Sequence, residues 1–196
     1  MAKKRAMIGF KGVALAPITE DSLTAYKTEA ATGIPYAGGM TRTPKETTQD
    51  FYYDDSLYAQ QKDLTGEEVE IRFAEIPLEK LGELGLGVYD AEKQTLEADF
   101  NVTGKSYSLR CVCNTVDSLP MYFKYRCFDL NSIKFDNFTT KGSSLAICEV
   151  IMTGIFKRPT MASIKPYVIK QPKDDGSDIA ACDTWLAAAE SLPAAL

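Results

Sequence analysis

The chain predicts a mainly β fold, a β-sandwich or partly open barrel carrying one short flanking helix, a long loop and a C-terminal helix. Three observations lead there. Short segments repeatedly alternate apolar with polar residues, the period of a strand with one buried face. Turn-forming Gly, Pro, Asp and Ser separate those segments. Helical spacing shows in only two places, after Pro77 and near the C-terminus.

Residues 6–13 read as a first strand, with Met7 to Phe10 apolar and Gly9 and Gly12 within it. Residues 17–33 are polar and without sustained period, and read as a connection. A second strand spans roughly 34–43 and is broken by Gly38-Gly39. Residues 44–66 read as a long polar loop, a length that is uncommon unless functional or disordered. Phe51, Tyr52, Tyr53 and Tyr58 within it argue against disorder, since disordered segments are poor in aromatics.

The next stretch changes period at a proline. Val69, Ile71 and Phe73 share one face of a strand, and Glu68, Glu70 and Arg72 share the other. Pro77 has no backbone donor for a ladder but suits a first helical turn. Leu78, Leu81 and Leu84 then recur at helical spacing. Leu96, Ala98, Phe100 and Val102 alternate with Thr95, Glu97, Asp99 and Asn101, a strand with one wet face. Residues 105–114 and 121–129 give two more strands. In the second, Met121, Phe123, Tyr125 and Cys127 oppose Tyr122, Lys124, Arg126 and Phe128. Residues 145–156 are apolar on both faces, as in a central strand covered on each side. Residues 164–170 add a strand, and 173–177 form a loop. Residues 179–192 have helical composition, with Ile179, Cys182, Leu186 and Ala189 on one stripe, Ser177 or Asp178 as cap and Pro193 as stop. The division expected is a main domain over 1–170 and a linker with helix over 171–196.

With 196 residues, 45% apolar and 25% charged, the composition is that of an ordinary globular protein. The formal charge of -5 and scattered basic residues argue against a nucleic-acid-binding face. The basic start Met1-Ala2-Lys3-Lys4-Arg5 is not read as a signal peptide, because Lys11 interrupts the apolar stretch that follows. The five cysteines lack a disulfide-framework spacing and read as buried reduced thiols. Cys111 and Cys113 form a Cys-x-Cys pair that can in principle ligate zinc, yet the chain has no histidine.

That absence of histidine removes Ser-His-Asp and Cys-His nucleophile arrangements. Asp54-Asp55 and Asp174-Asp175 lack calcium-loop spacing, and Lys141-Gly142-Ser143-Ser144 lacks the upstream glycine of a phosphate loop. No catalytic, metal or cofactor site is expected, and the chain reads as a non-enzyme.

Three features taken in order resemble a known family. The aromatic-acidic segment Tyr52-Tyr53-Asp54-Asp55 precedes a strand that runs into Pro77-Leu78-Glu79. Thr140-Lys141-Gly142 then precedes a strand bearing Gly154 near its end. This arrangement, over roughly residues 34–158, resembles the major tail proteins of long-tailed bacteriophages, which form the tail tube. Tyr53 stands where that family usually has a small residue. The resemblance implies a structural subunit that assembles with itself into hexameric rings, stacked into a conduit for DNA ejection. It also implies other tail proteins as partners at the tube ends, a virion tail location with assembly in the host cytoplasm, and DNA passing without specific binding. A contractile tail is the related alternative.

On that reading, Phe51, Tyr52, Tyr53, Asp54, Asp55 and Tyr58 are candidates for contact between subunits, because aromatics bury large area while keeping a polar handle. Cover for their own domain is the other reading. Glu68, Glu70, Glu97 and Asp99 are candidates for a lumen that repels phosphate. The alternative function is a monomeric β-sandwich binding module using its aromatic loop.

Overall fold

The computed structural model describes residues 6–53, 56–98, 104–136 and 149–193. The elements begin with β1 (Met7–Asp21), β2 (Ala25–Thr28), β3 (Thr32–Ile34), β4 (Ala37–Tyr53) and β5 (Ser56–Phe73). Helix α1 (Leu78–Glu83), β6 (Gly87–Asp90), β7 (Thr95–Ala98), β8 (Ser106–Thr115) and β9 (Met121–Asp136) follow. Strands β10 (Glu149–Phe156) and β11 (Tyr167–Lys170), helix α2 (Ile179–Ala187) and β12 (Glu190–Pro193) complete the chain.

The fold is mainly β, built on one large antiparallel sheet. Its order is β12-β2-β1-β8-β9-β10-β5-β4, with β3 also on β1 and β11 also on β9. Strands β6 and β7 form a separate ribbon. The large sheet curls until β4 returns beside β1. Ala37 and Met40 there pack on the same apolar cluster as Val13 and Leu15. That cluster lies inside the curl, fed by Val69, Ile71 and Phe73 of β5, Leu109 of β8, and Val150 and Met152 of β10. Leu81 of α1, with Ile76 and Leu84 beside it, closes one side of the cluster. Pro77 (φ -55°, ψ 141°) stands just before the helix as its N-cap, with its carbonyl accepting from the Leu81 amide, and the first helical residue is Leu78.

The opposite face of β8 and β9 is also covered. Helix α2 sets Cys182 and Leu186 against Tyr122, and β12 pairs with β2 beside it. The C-terminal segment therefore packs on its own sheet. Its helix stops at Ala187 rather than near 192, because the chain turns extended at Ala188 (ψ 143°) and enters β12.

Several expectations need correction. The stretch 17–33 is no plain connection: β1 runs on through Pro17, then β2 and β3 follow. Pro17 is tolerated because β1 changes partner there, pairing with β8 up to Pro17 and with β2 from Ile18 onward. Gly38 does not break a strand but lies in a register shift within β4. The alternation expected for β9 flips at Arg126–Cys127, where these two residues of β9 oppose the single Ser108 of β8, so Tyr125 and Phe128 both reach the core. Strand β10 is central, between β9 and β5, but covered on one side only: Val150, Met152 and Phe156 are buried while Ile151 and Ile155 are half-exposed. The largest correction concerns residues 44–66, which are a hairpin rather than a loop.

Two glycines are required by close approach. A Cβ on Gly154 would collide with the carbonyl of Asp129 and the ring of Phe128. One on Gly66 would stand 2.7 Å from the carbonyl oxygen of Phe156. Gly66 marks the point where the hairpin leaves the sheet.

Candidate functional site

Strands β4 and β5 pair continuously from Ala37 opposite Phe73 to Tyr53 opposite Ser56. Strand β10 accompanies β5 only from Glu67 to Phe73. Beyond Lys45 and Gly66, among the described residues, the two strands have only each other. At about 3.3 Å per residue this arm reaches roughly 26 Å past the sheet. Lys45, Glu46, Thr48, Gln49, Asp50, Ala59 and Gln60, the side chains described on it, are all exposed. Gln60 Nε2 donates to Asp50 Oδ1 at 2.8 Å across the arm. An isolated two-stranded ribbon is marginal in water. Phe51, Tyr52 and Tyr53 fall at the far end of β4 and Tyr58 on β5 beside them. Asp54 and Asp55 lie outside the described residues, as does the expected Thr140-Lys141-Gly142 turn.

Glu68 and Glu70 occupy the outer face of β5, as the alternation predicts. Around them the face is mixed in charge rather than acidic. Arg72 donates to Glu70 at 2.8 Å and to Glu149 of β10 at 3.2 Å, and Lys45 lies 3.8 Å from Glu68. The Arg72 guanidinium is held above its ordinary range, first by its hydrogen bond to Glu70. Thr153 and Ser132 share a 2.7 Å hydrogen bond on the same face, and Lys134 is the register partner of Ile151. Glu97 does not join this group, since β7 belongs to the separate ribbon. Asp99 lies outside the described residues.

At the foot of the arm is a cavity of about 470 Å³ that sequence reasoning missed. Arg42 of β4 lies over Tyr125, its guanidinium carbon 5.1 Å from the ring centroid, and also donates to the Tyr125 hydroxyl at 3.0 Å. Burial opposes the Arg42 charge, but its hydrogen bond to Glu67 holds the guanidinium protonated. Tyr125 stacks on Phe156 at 4.2 Å, and Tyr167 leans on it at 6.0 Å. Lys157 pairs with Asp129, and the exposed Arg158 has no ion pair or hydrogen bond among the described residues. These groups come from β4, β5, β9, β10, β11 and the two residues after β10, and no local spacing links them.

No family model matches the chain, and a search of curated proteins finds no match.

A second cavity, about 340 Å³, lies between α1 and β1, with buried Tyr107 on its wall, whose hydroxyl has no hydrogen-bond partner among the described residues. Burial pushes that hydroxyl up to about 12. The Cys111 and Cys113 thiols perturb each other. The interaction with Cys113, then burial, raises Cys111, while the interaction with Cys111 lowers Cys113. Among the described residues no group of three His, Cys, Asp or Glu side chains gathers around them. Nor is any described helix long and apolar enough to cross a membrane.

Proposed function

We propose that this protein is a self-assembling structural subunit of a tubular polymer, and specifically a tail-tube protein of a long-tailed bacteriophage without enzymatic activity. The observation that carries this reading is the arm. A bare two-stranded ribbon of this length is marginal alone and gains stability only by packing on something else. The outer edge of β4 extends the same argument, because among the described residues β5 is its only ladder partner. A long open edge in an otherwise well-covered sheet invites another strand. Another copy of the chain supplies both needs, and a contact between unlike patches closes into rings or runs on as a filament.

The order of the aromatic-acidic segment, the strand-to-helix switch at Pro77 and Gly154 supports the more specific tail-tube reading. In such a tube the outer face of β4, β5 and β10 would line the bore. Its mixture of Glu68, Glu70 and Glu149 with Arg72, Lys45 and Lys134 makes that bore weakly charged, so that passing DNA meets few attractive phosphate sites. Other tail proteins would cap the tube ends, in a virion assembled in the host cytoplasm.

Negative-stain electron microscopy of the purified chain over a concentration series tests the reading. Rings or hollow tubes of uniform bore are expected. Monomers that persist at all concentrations, with and without preformed tail ends as seeds, would favour a monomeric binding module using the cavity at the foot of the arm.

A further inference from the structure

The two ends of the arm differ in chemistry. Its foot carries the cavity described above, where Arg42, Lys157 and Arg158 surround Tyr125, Phe156 and Tyr167. Glu67 is the single acid on that wall. The far end is the reverse. From Asp50 to Tyr58 the sequence holds three aspartates, four aromatics and neither lysine nor arginine. Arg42 and Tyr53 lie eleven residues apart on one continuous strand, which puts them roughly 35 Å apart. The far end therefore has no way back to its own foot.

We infer that the cavity at the foot of the arm receives the acidic-aromatic far end of the arm of a second copy of this chain. This rests on the self-assembly reading and names the contact that drives it. Aromatic side chains entering the cavity would stack on Tyr125, Phe156 and Tyr167, where ring pairs gain beyond simple burial. The aspartates would meet Arg158, whose guanidinium has no partner of its own among the described residues, and Lys157 at the rim. Arg42 is already committed to Glu67 and to the Tyr125 ring, so its part is to hold the aromatic wall in place. Half-exposed Tyr167 would lose solvent on contact.

The geometry has a consequence for the polymer. Donor and acceptor sit at opposite ends of one rod, so arms that run parallel join head to tail and propagate as a ladder, whereas an antiparallel pair would satisfy both contacts and stop at a covalent dimer. Each arm also spans the interval between its own cavity and the next. Copies joined this way repeat at roughly 35 Å along the direction of the arm.

Cysteine pairing provides the test. Tyr53→Cys and Tyr167→Cys in the same chain, assembled and then mildly oxidised, should give a ladder of covalent oligomers on a non-reducing gel. Neither single variant should do so. Arg158→Glu, on an exposed side chain, should leave the fold intact and raise the assembly concentration about tenfold. Adding Asp55→Arg should recover most of that loss. Tubes that form while the double cysteine variant stays uncross-linked would overturn the cavity contact and leave the tube reading standing. Cross-linked oligomers without rings or tubes would keep the contact and overturn the tube. Absence of both would overturn both.

Discussion

Lys124 Nζ lies 4.2 Å from the ring centroid of Trp185, which ties the middle of β9 to α2 by a cation–π contact. The lysine is only 3% exposed, and Arg110, Arg126 and Lys170 surround it with Glu190 as the one facing acid. Burial, then repulsion from Arg110, lowers its pKa to about 8.

The sign of the resulting pH dependence follows directly. In the unfolded chain this lysine titrates near its ordinary value of 10.5, so between pH 8 and 10 the unfolded state binds more protons. This group alone adds about 2 kcal/mol as pH rises through that window. Cys111, Cys127 and Cys182, all raised in the fold, act the other way as their unfolded counterparts ionise around the ordinary thiol value of 9.0. Tyr26, Tyr107, Tyr122 and Tyr125, raised by burial, add to that loss above pH 10. Urea unfolding followed by the fluorescence of the single Trp185, run on the native chain and on Lys124→Met, isolates the lysine. The variant should be neutral or stabilising at pH 7, and the native chain should gain about 2 kcal/mol on it between pH 8 and 10. Parallel profiles for the two chains would show that Lys124 does not titrate in that window.

Arg110 fixes the end of α2. Fully buried, it donates to the carbonyls of Leu186 and Ala188, the latter at 2.7 Å, and to Thr28 Oγ1 at 3.1 Å. Arg110→Met would relieve repulsion with Lys124 but leave two carbonyls without their donor. The second effect is larger, and a net loss of about 2 kcal/mol is expected. Amide exchange should accelerate at β12 and the last turn of α2 before it does at β8. Arg110→Lys should not rescue, since one ammonium cannot reproduce the guanidinium fork. Full rescue by lysine would show that charge alone matters there.

Gly154 should not tolerate a side chain. Alanine there meets the Asp129 carbonyl and the Phe128 ring, and neither can retreat without shifting β9. A loss of about 3 kcal/mol is expected from the urea midpoint. Gly12→Ala in β1 is the control, since nothing lies within 4 Å of its added Cβ, and it should be neutral or stabilising by about 0.5 kcal/mol. Equal effects at both positions would refute the steric account.

Alternation revealed Val69, Ile71 and Phe73 of β5, which bury one face and wet the other. In β8 it marked Tyr107, Leu109 and Cys111 but hid that Ser108 and Arg110 between them are buried too. The switch to α1 at Pro77 was equally legible, because the proline changes the available torsions. The arm was not. Its sequence from Lys45 to Gly66 has no hydrophobic period, and a strand without period reads as a loop. Strands β2 and β3 are four and three residues long, too short for periodicity to register. Of the candidate acids, Glu68 and Glu70 came together because one strand carries both. Glu97 has the same local pattern, but its membership of the β6–β7 ribbon is a matter of topology. The Arg42–Tyr125 wall joins residues 83 positions apart, beyond the reach of any local signal.

The arm also supplies the sharpest separation between folding and assembly. Lys45 and Gly66 are register partners at its foot, so residues 46–65 can be replaced by Asn-Gly, a pair suited to the type I′ turn of a two-residue hairpin. The described side chains removed are exposed, so little buried apolar area is lost and the shorter connection costs less entropy to close. The unfolding midpoint should stay within about 4 °C of the full-length chain, the shift that roughly 1 kcal/mol produces at this size. Sedimentation and electron microscopy should then find a folded monomer that forms no rings or tubes at concentrations where the full-length chain does. A shortened chain that assembles normally would remove the arm from assembly, and one that fails to fold would make it part of its own subunit's core.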